Sequence, residues 1–591
     1  MLNERNMSAL CLVDSSKKQE FNQLQEILWS ALDYFGVPYE VMDLTKGHLD
    51  IEALKDHSVV IIGQEHLGTS LSVNDANSIM EAAKSGVGLV CFDGDLHSYK
   101  DPFKDALGLW TSEVGTHMPH LNTWMIRIWD NKHFITSAKD LEFIRFNKPV
   151  DVCNIVNIEK DYSLLVTVAN SSGLPAVVTQ TYGEGRIVLF AVSPKIWVNE
   201  YFGHGGGLDD IFWKSIVWAA RKPFVMLAMP PFVTIRIDDC SGAPNRFEWV
   251  KILNKHGFIP HVSLFTENIG EKEAQAIKEL YDAGMAEFSF HAFTWTKQIF
   301  WEPKSPTDHS VGREYSKEEL TDFFKKMDDY AEKWGIEWSK VLTAHFGEVG
   351  KNIISFLKER GIVFLGMPYA FGTPYSVAPL QLPETELRRL KPFNGQGGVI
   401  DRHPDYPELF VVSPSYEDVP KSIQQSLMDK GAISSNGQKY DFLWETGREK
   451  VNLELGAWYA SFGIKHCLDS LLPVVLVTHE QNISVLNNEE WDSLLSKVDQ
   501  LTSKHYKMFK SWSHIAEYAE NLQNSKIKHV KTDLANNELE CCLMGKSRIP
   551  LYLFVFKGDS KYVDQAFKEF PSYQGEETIR FKLNDLLFRR M

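Results

Sequence analysis

The sequence predicts an α/β protein in three parts, on three observations. Up to about residue 220, and again over the following 300 or so, short apolar runs alternate with helical patterns. That alternation implies βαβ units and parallel sheets. In the central stretch several apolar runs end in Asp, Glu or His, as the strands of a closed β/α barrel do where reactive groups gather at the C-terminal rim. From about Ile527 the runs are short and separated by turn residues, the pattern of a small β-sandwich.

The elements follow in order. Ser8-Ala-Leu-Cys-Leu-Val13 is a strand, with a helix from about Lys17 to Phe35. Tyr39–Leu44, Val59–Ile62 and Gly88–Phe92 are further strands, and Asn74–Ser85 is helical. Together they describe an open, flavodoxin-like parallel sheet. Gly183–Phe190 reads as a turn into a strand, and Asp209–Arg221 is a Trp-rich amphipathic helix ended by Lys222-Pro223. That proline sets the first boundary, so the expected domains are 1–223, 224–524 and 525–591. Helical patterns at Arg246–His256, Glu271–Ala283, Ser316–Trp334 and Gly350–Arg360 separate the central strands. In the tail, Leu551–Phe556 and Thr578–Lys582 are strand-like.

Composition narrows the function classes. A net charge of -16 without a Lys/Arg cluster argues against nucleic acid and anionic membranes as partners. The seven cysteines are scattered, and the adjacent Cys541-Cys542 has no zinc-ligand spacing. They suggest reduced thiols rather than a disulfide framework. Met1–Asn6 carries no apolar signal segment, and no run of about 18 apolar residues could span a bilayer. A cytoplasmic location is expected, and homo-oligomerisation is left open.

The chemistry concentrates at strand ends. Thr234-Ile-Arg-Ile-Asp238-Asp239-Cys240-Ser241-Gly242 takes an apolar run straight into two adjacent carboxylates. Neighbouring carboxylates repel, and one is protonated more readily unless a cation lies between them. A divalent metal on one Asp, with the other as general base, would use such a pair; an Asx turn with a helix cap is the structural alternative. Glu287–Phe290 leads into His291, Lys340–Ala344 into His345, Pro473–Thr478 into His479 and Glu480, and His261–Phe265 into Thr266 and Glu267. On a barrel all would meet at one rim.

With these residues in place, the central stretch resembles the polysaccharide deacetylase (NodB-homology) family, over some 250 to 300 residues. The resemblance implies a distorted, usually seven-stranded β/α barrel, with Asp238 as base and Asp239 as metal ligand. The family's His-x-x-x-His motif reads His291-Ala-Phe-Thr-Trp295 here, so the second ligand is Trp. Its Arg-Pro-Pro-type third motif reads Thr343-Ala-His345-Phe-Gly347-Glu348, without the Arg. Its last motif, an apolar strand ending in a catalytic His, matches Val475-Leu-Val-Thr-His479. The N-terminal part resembles class I glutamine-amidotransferase-like domains through strand order and the Gly183–Pro223 region. The nucleophilic elbow is missing there, because Cys91 lies inside a strand.

The resemblance implies a carbohydrate deacetylase that uses a divalent metal, zinc by expectation. A catalytic zinc usually takes three protein ligands. Asp239 and His291 are two, and His345 is the first candidate for the third, ahead of His309 and His403. Asp238 and His479 are the expected acid/base pair. Trp295, Glu348, Tyr369, Glu445 and Glu480 are expected to contact a carbohydrate, with Trp301, Tyr375, Tyr406, Tyr416 and Trp444 as further aromatics at strand ends or in loops. Two other readings stay open: a glycosidase using Glu267, Glu348, Glu445 or Glu480, and a carbohydrate-binding scaffold without catalysis.

Overall fold

Runs such as Val59–Ile62, apolar at every position, are buried on both faces, as parallel strands covered by helices are. The protein is described by a computed structural model over residues 4–111, 120–139, 141, 143–158, 162–169, 173–204, 207–305, 308–345, 349–366, 400–402, 409–412, 452–533, 535–559 and 562–591. It is a mixed α/β protein whose chain gathers into two compact units. One holds the residues up to Met229 together with Asn521–Met591; the other holds the described residues from Pro230 to Glu520. Among the described residues no helix is long and apolar enough to cross a membrane.

The first unit is built on a nine-stranded sheet. Its strands are β1 (Ala9–Val13), β2 (Tyr39–Asp43), β3 (Val59–Ile62), β4 (Gly88–Cys91), β5 (His120–Ile128), β6 (Phe143–Cys153), β7 (Ser163–Val168), β8 (Pro175–Tyr182) and β9 (Gly185–Phe190). Their order is β2-β1-β3-β4-β9-β8-β7-β5-β6. The β2-to-β9 half is parallel, as the sequence pattern predicts. The other half is antiparallel, which corrects the expectation of a wholly parallel sheet. The cause is local. Tyr182 pairs with Gly185 across a two-residue turn in which Gly183 has φ 60°. A tight turn with positive φ joins antiparallel neighbours, and no crossover helix separates β8 from β9.

In the second unit, β10 (Phe232–Cys240), β11 (His261–Phe265), β12 (Glu287–Ala292) and β13 (Val474–His479) form a parallel sheet in the order β12-β11-β10-β13. Met508–Phe509 joins the start of β10. Helices alternate with these strands, and the longest, Lys317–Trp334, is set by a capping box between Ser316 and Glu319. Its apolar face, through Leu320, Phe324 and Met327, packs on Phe290, Leu342 and Leu357. A second sheet contains Val341–Leu342, Phe364–Leu365, Phe410–Val412 and Ile400–Arg402. A single bridge, Phe288 to Trp338, leads from β12 toward it.

The described residues do not close a barrel. β12 and β13 are the edges of the parallel sheet, and the 341–342 and 364–365 strands are two residues each. Residues 367–399 and 413–451, where further strands would fall, lie outside the described residues.

The C-terminal residues enter two four-stranded sheets of the first unit, each completed from elsewhere. Glu4–Asn6 pairs with Ser525–Asp533, and Phe224–Met226 pairs with Leu551–Gly558. The 525–591 stretch thus shares its sheets with strands from both ends of the N-terminal region.

Candidate metal centre

Strand alternation puts Thr234, Arg236 and Asp238 on one face of β10 and would send Asp239 to the other. Asp239 instead has φ 58°, a left-handed conformation uncommon outside glycine. The turn breaks the alternation and brings both carboxylates to the same end of the sheet. Strain of this kind persists where surrounding contacts over-determine it. Here Glu480 supplies the contacts: its Oε2 accepts from Ser241 N at 2.6 Å and Ser241 Oγ at 3.0 Å, and its Oε1 accepts from Gly242 N at 2.9 Å. Glu480 is buried, and burial pushes its carboxyl up to about 7 against those donors. Its acceptor groups are spent on the turn.

Asp239, His291 and His345 converge, all buried, with one ligand atom from each within 4.8 Å of the others. Asp239 Oδ1 is 3.1 Å from His291 Nε2 and 3.6 Å from His345 Nε2, yet has hydrogen-bond geometry to neither. Gln481 donates to its other oxygen at 3.3 Å. His291 donates Nδ1–H to Thr343 O at 2.5 Å, which leaves a lone pair on Nε2 facing Asp239. Nδ1 of His345 lies against the amide of Gln298, 3.1 Å from Oε1 and 2.9 Å from Nε2. Burial pushes the His345 imidazole down to about 3 despite the attraction of Asp239, so it is neutral near pH 7. Burial would raise the Asp239 carboxyl, but the imidazoles around it hold it below the usual range.

The donor set suits a divalent cation. A buried carboxylate oxygen without a hydrogen bond is costly, and a metal ion between it and two imidazole nitrogens would remove the deficit. One carboxylate and two imidazoles are a known set for a catalytic zinc with an open position.

Asp238 is bound differently. Arg236, two residues earlier on the same face, forks onto it with Nε to Oδ1 at 2.7 Å and Nη2 to Oδ2 at 2.5 Å, and gives Nη1 to Gly366 O at 3.0 Å. Burial raises the Asp238 carboxyl, but the Arg236 guanidinium, then the nearby imidazoles, hold it well below the usual carboxylate range. His479 pairs with Asp238 in the β10–β13 register, and its imidazole is near enough to act electrostatically on Asp238, Asp239 and His345. Arg236 has no motif to single it out in the sequence, although a two-residue offset on a strand signals a shared face.

Trp295 stands over this group, its ring centroid 5.0 Å from that of His345, and it keeps 36% of its surface exposed. Phe265 packs on both imidazoles, at 5.7 Å from His291 and 5.1 Å from His345. Trp301 is buried. Glu267 accepts from Lys297 at 2.7 Å and from Lys326. His309 lies on the hairpin strand Asp308–Arg313. Glu348, Tyr369, Glu445, His403, Tyr375, Tyr406, Tyr416 and Trp444 lie outside the described residues.

Two cysteines of the first unit, Cys91 and Cys153, end strands, and both are buried. Cys91 is buried in β4, where desolvation raises its thiol far above the ordinary value. A left-handed turn follows β3, but it carries His66 (φ 63°), with the backbone N–H groups of His66 and Leu67 held by Asp93 at 3.0 and 2.9 Å. His204 is buried against Asp209 at 2.7 Å, so it braces the following helix.

No family model and no curated protein matches the chain. Among solved structures, a candidate polysaccharide deacetylase from Mycobacterium smegmatis aligns at 12% identity and TM-score 0.31, over 51% of this chain and 94% of that one. A cytoplasmic protein from Salmonella typhimurium aligns at 14% identity and TM-score 0.27, over 36% of this chain and all of its own. A β-galactosidase from Rahnella aligns at 15% identity and TM-score 0.25, over 38% of this chain and 34% of its own.

Proposed function

We propose that the second unit is a metal-dependent hydrolase of the polysaccharide deacetylase type, removing an acyl group from an amino sugar or an acylated glycan. The observation that supports it most is the buried Asp239–His291–His345 group, whose Asp239 Oδ1 faces two imidazole nitrogens without a hydrogen bond. These three residues would hold the ion, zinc by preference for the N/O set. A bound zinc ion acidifies water and polarises a carbonyl.

The chain's own groups divide the remaining work. Asp238, kept ionised by Arg236, accepts the proton of the attacking water; the Arg236 fork fixes its direction and weakens it as a base. His479, beside Asp238 on the next strand, gives a proton to the leaving amine or alkoxide. Trp295 offers an apolar face to a sugar ring at the mouth of the site. Phe265 keeps water from the far side of the imidazoles.

A glycosidase needs two carboxylates flanking the scissile bond. Glu267 and Glu480, two of its candidates, are held by lysines and by backbone N–H groups. The test is deacylation of N-acetylated glucosamine oligomers by the full-length protein. Activity should vanish on chelation and return with zinc or cobalt. Glycoside cleavage that survives chelation would overturn the proposal.

A further inference from the structure

Trp295 stands where the resembled family would have a second ligating His, and the turn that carries it holds a second device. Thr294–Lys297 closes on itself, with Lys297 N donating to Thr294 Oγ1 at 3.1 Å and Phe293 N donating to Lys297 O at 3.0 Å. The next residue, Gln298, is buried. Its Nε2 donates to Trp295 O at 3.1 Å, and its amide lies on His345 Nδ1. Resting on the metal-centre reading above, we propose that Gln298 is the positioning residue that lets His345 serve as the third ligand in place of the side chain at 295.

A ligating imidazole must present a lone pair on Nε2, so its proton sits on Nδ1 and needs an acceptor. Gln298 Oε1 at 3.1 Å is that acceptor, and the bond from Nε2 to Trp295 O keeps the amide in this orientation. Without a metal the other tautomer can form, with Nε2–H toward Asp239 Oδ1, and the Gln298 NH₂ at 2.9 Å then serves Nδ1. An amide carries both a donor and an acceptor, so one side chain supports both states. His291 has a carbonyl, Thr343 O, in the equivalent place, and a carbonyl only accepts. The two imidazoles thus differ: His291 is fixed in its ligating tautomer, whereas His345 can change. The Trp295 ring covers the outer side of His345, so one short turn supplies both the cover and the support.

Two substitutions separate positioning from packing. Gln298→Leu keeps bulk and removes both hydrogen-bonding atoms. Gln298→Glu keeps shape and an acceptor for the Nδ1–H of His345, favouring the ligating tautomer, but gives up the donor to Trp295 O. Metal affinity of the full-length protein is read by chelator competition with zinc, and ligand geometry by the visible absorption of the cobalt-loaded protein. Gln298→Leu should lose about 10- to 100-fold in zinc affinity and alter the cobalt spectrum, while Gln298→Glu, which keeps the acceptor for Nδ1–H, should lose clearly less. Thermal melting of the metal-free proteins checks that both variants fold. Wild-type affinity in Gln298→Leu, or equal losses in the two variants, would overturn the inference. A wild-type protein that takes up no metal would instead remove the reading on which it rests.

Discussion

The two units set polar residues at the C-terminal ends of parallel strands in contrasting ways. In the first, the charged groups beyond β1, β3 and β4 are matched to one another. His66 meets Asp95 at 2.8 Å, Lys195 meets Glu65 at 2.7 Å, and Gln64 bonds both the N–H and the carbonyl of Asp14. In the second, Arg236 and Asp238 are matched in the same manner, but Asp239 Oδ1 is left between two imidazoles without a hydrogen bond. Strand-end polarity alone does not mark a reactive site, since both units have it. What sets the second unit apart is convergence: one carboxylate oxygen and two imidazole nitrogens, all buried, lie within 4.8 Å of one another, a set that a cation would satisfy.

The contrast can be broken most severely at Asp239. Asp239→Gly suits the left-handed backbone and removes the carboxylate, so metal binding and hydrolysis should both disappear while the far-UV circular dichroism stays the same. If metal content is unchanged, the ligand set is wrong. His345→Ala should come next, with a fall in metal affinity larger than that of Gln298→Leu. Full occupancy with lost turnover would make His345 a contact for substrate instead. Asp238→Asn should keep the metal and lower kcat by about 10²- to 10⁴-fold, and an unchanged kcat would remove Asp238 as the base.

The smallest effect belongs to the matched cluster. His66→Ala should leave hydrolysis untouched and cost about 1 kcal/mol of stability for a lost hydrogen bond. Burial lowers the His66 imidazole, but Asp95, Glu65 and Asp93 raise it above its ordinary value overall. Its contribution is therefore full below about pH 6.5 and fades as pH climbs through the raised value. The gap in Tm between wild type and His66→Ala should narrow on that side, and a gap that widens with pH would contradict the assignment.

Much of the second unit was legible in the sequence because its signals are local. An apolar run ending in Asp238-Asp239, and others ending in His291, His345 and His479, mark strand tips directly, and a parallel sheet brings tips together. Other features depend on partners far along the chain. The pairing of Glu4–Asn6 with Ser525–Asp533 joins segments more than 500 residues apart, and three residues carry no pattern that announces it. The antiparallel half of the first sheet was hidden because its strands are not continuous apolar runs: β6 carries Arg145, Asn147, Lys148 and Asp151 along its length. Gln298 gave no signal either, since a lone Gln in a loop acquires its role only through the fold that places His345 beside it. The left-handed turn at Asp239 was similarly invisible, because Asp is tolerated there without the glycine that usually marks it.

Metal content of the purified full-length protein tests the central claim most directly. After incubation with zinc and removal of excess, wild type should carry about one equivalent, and Asp239→Gly none. A wild-type protein that stays metal-free after exposure to zinc, cobalt, manganese and nickel would contradict the account.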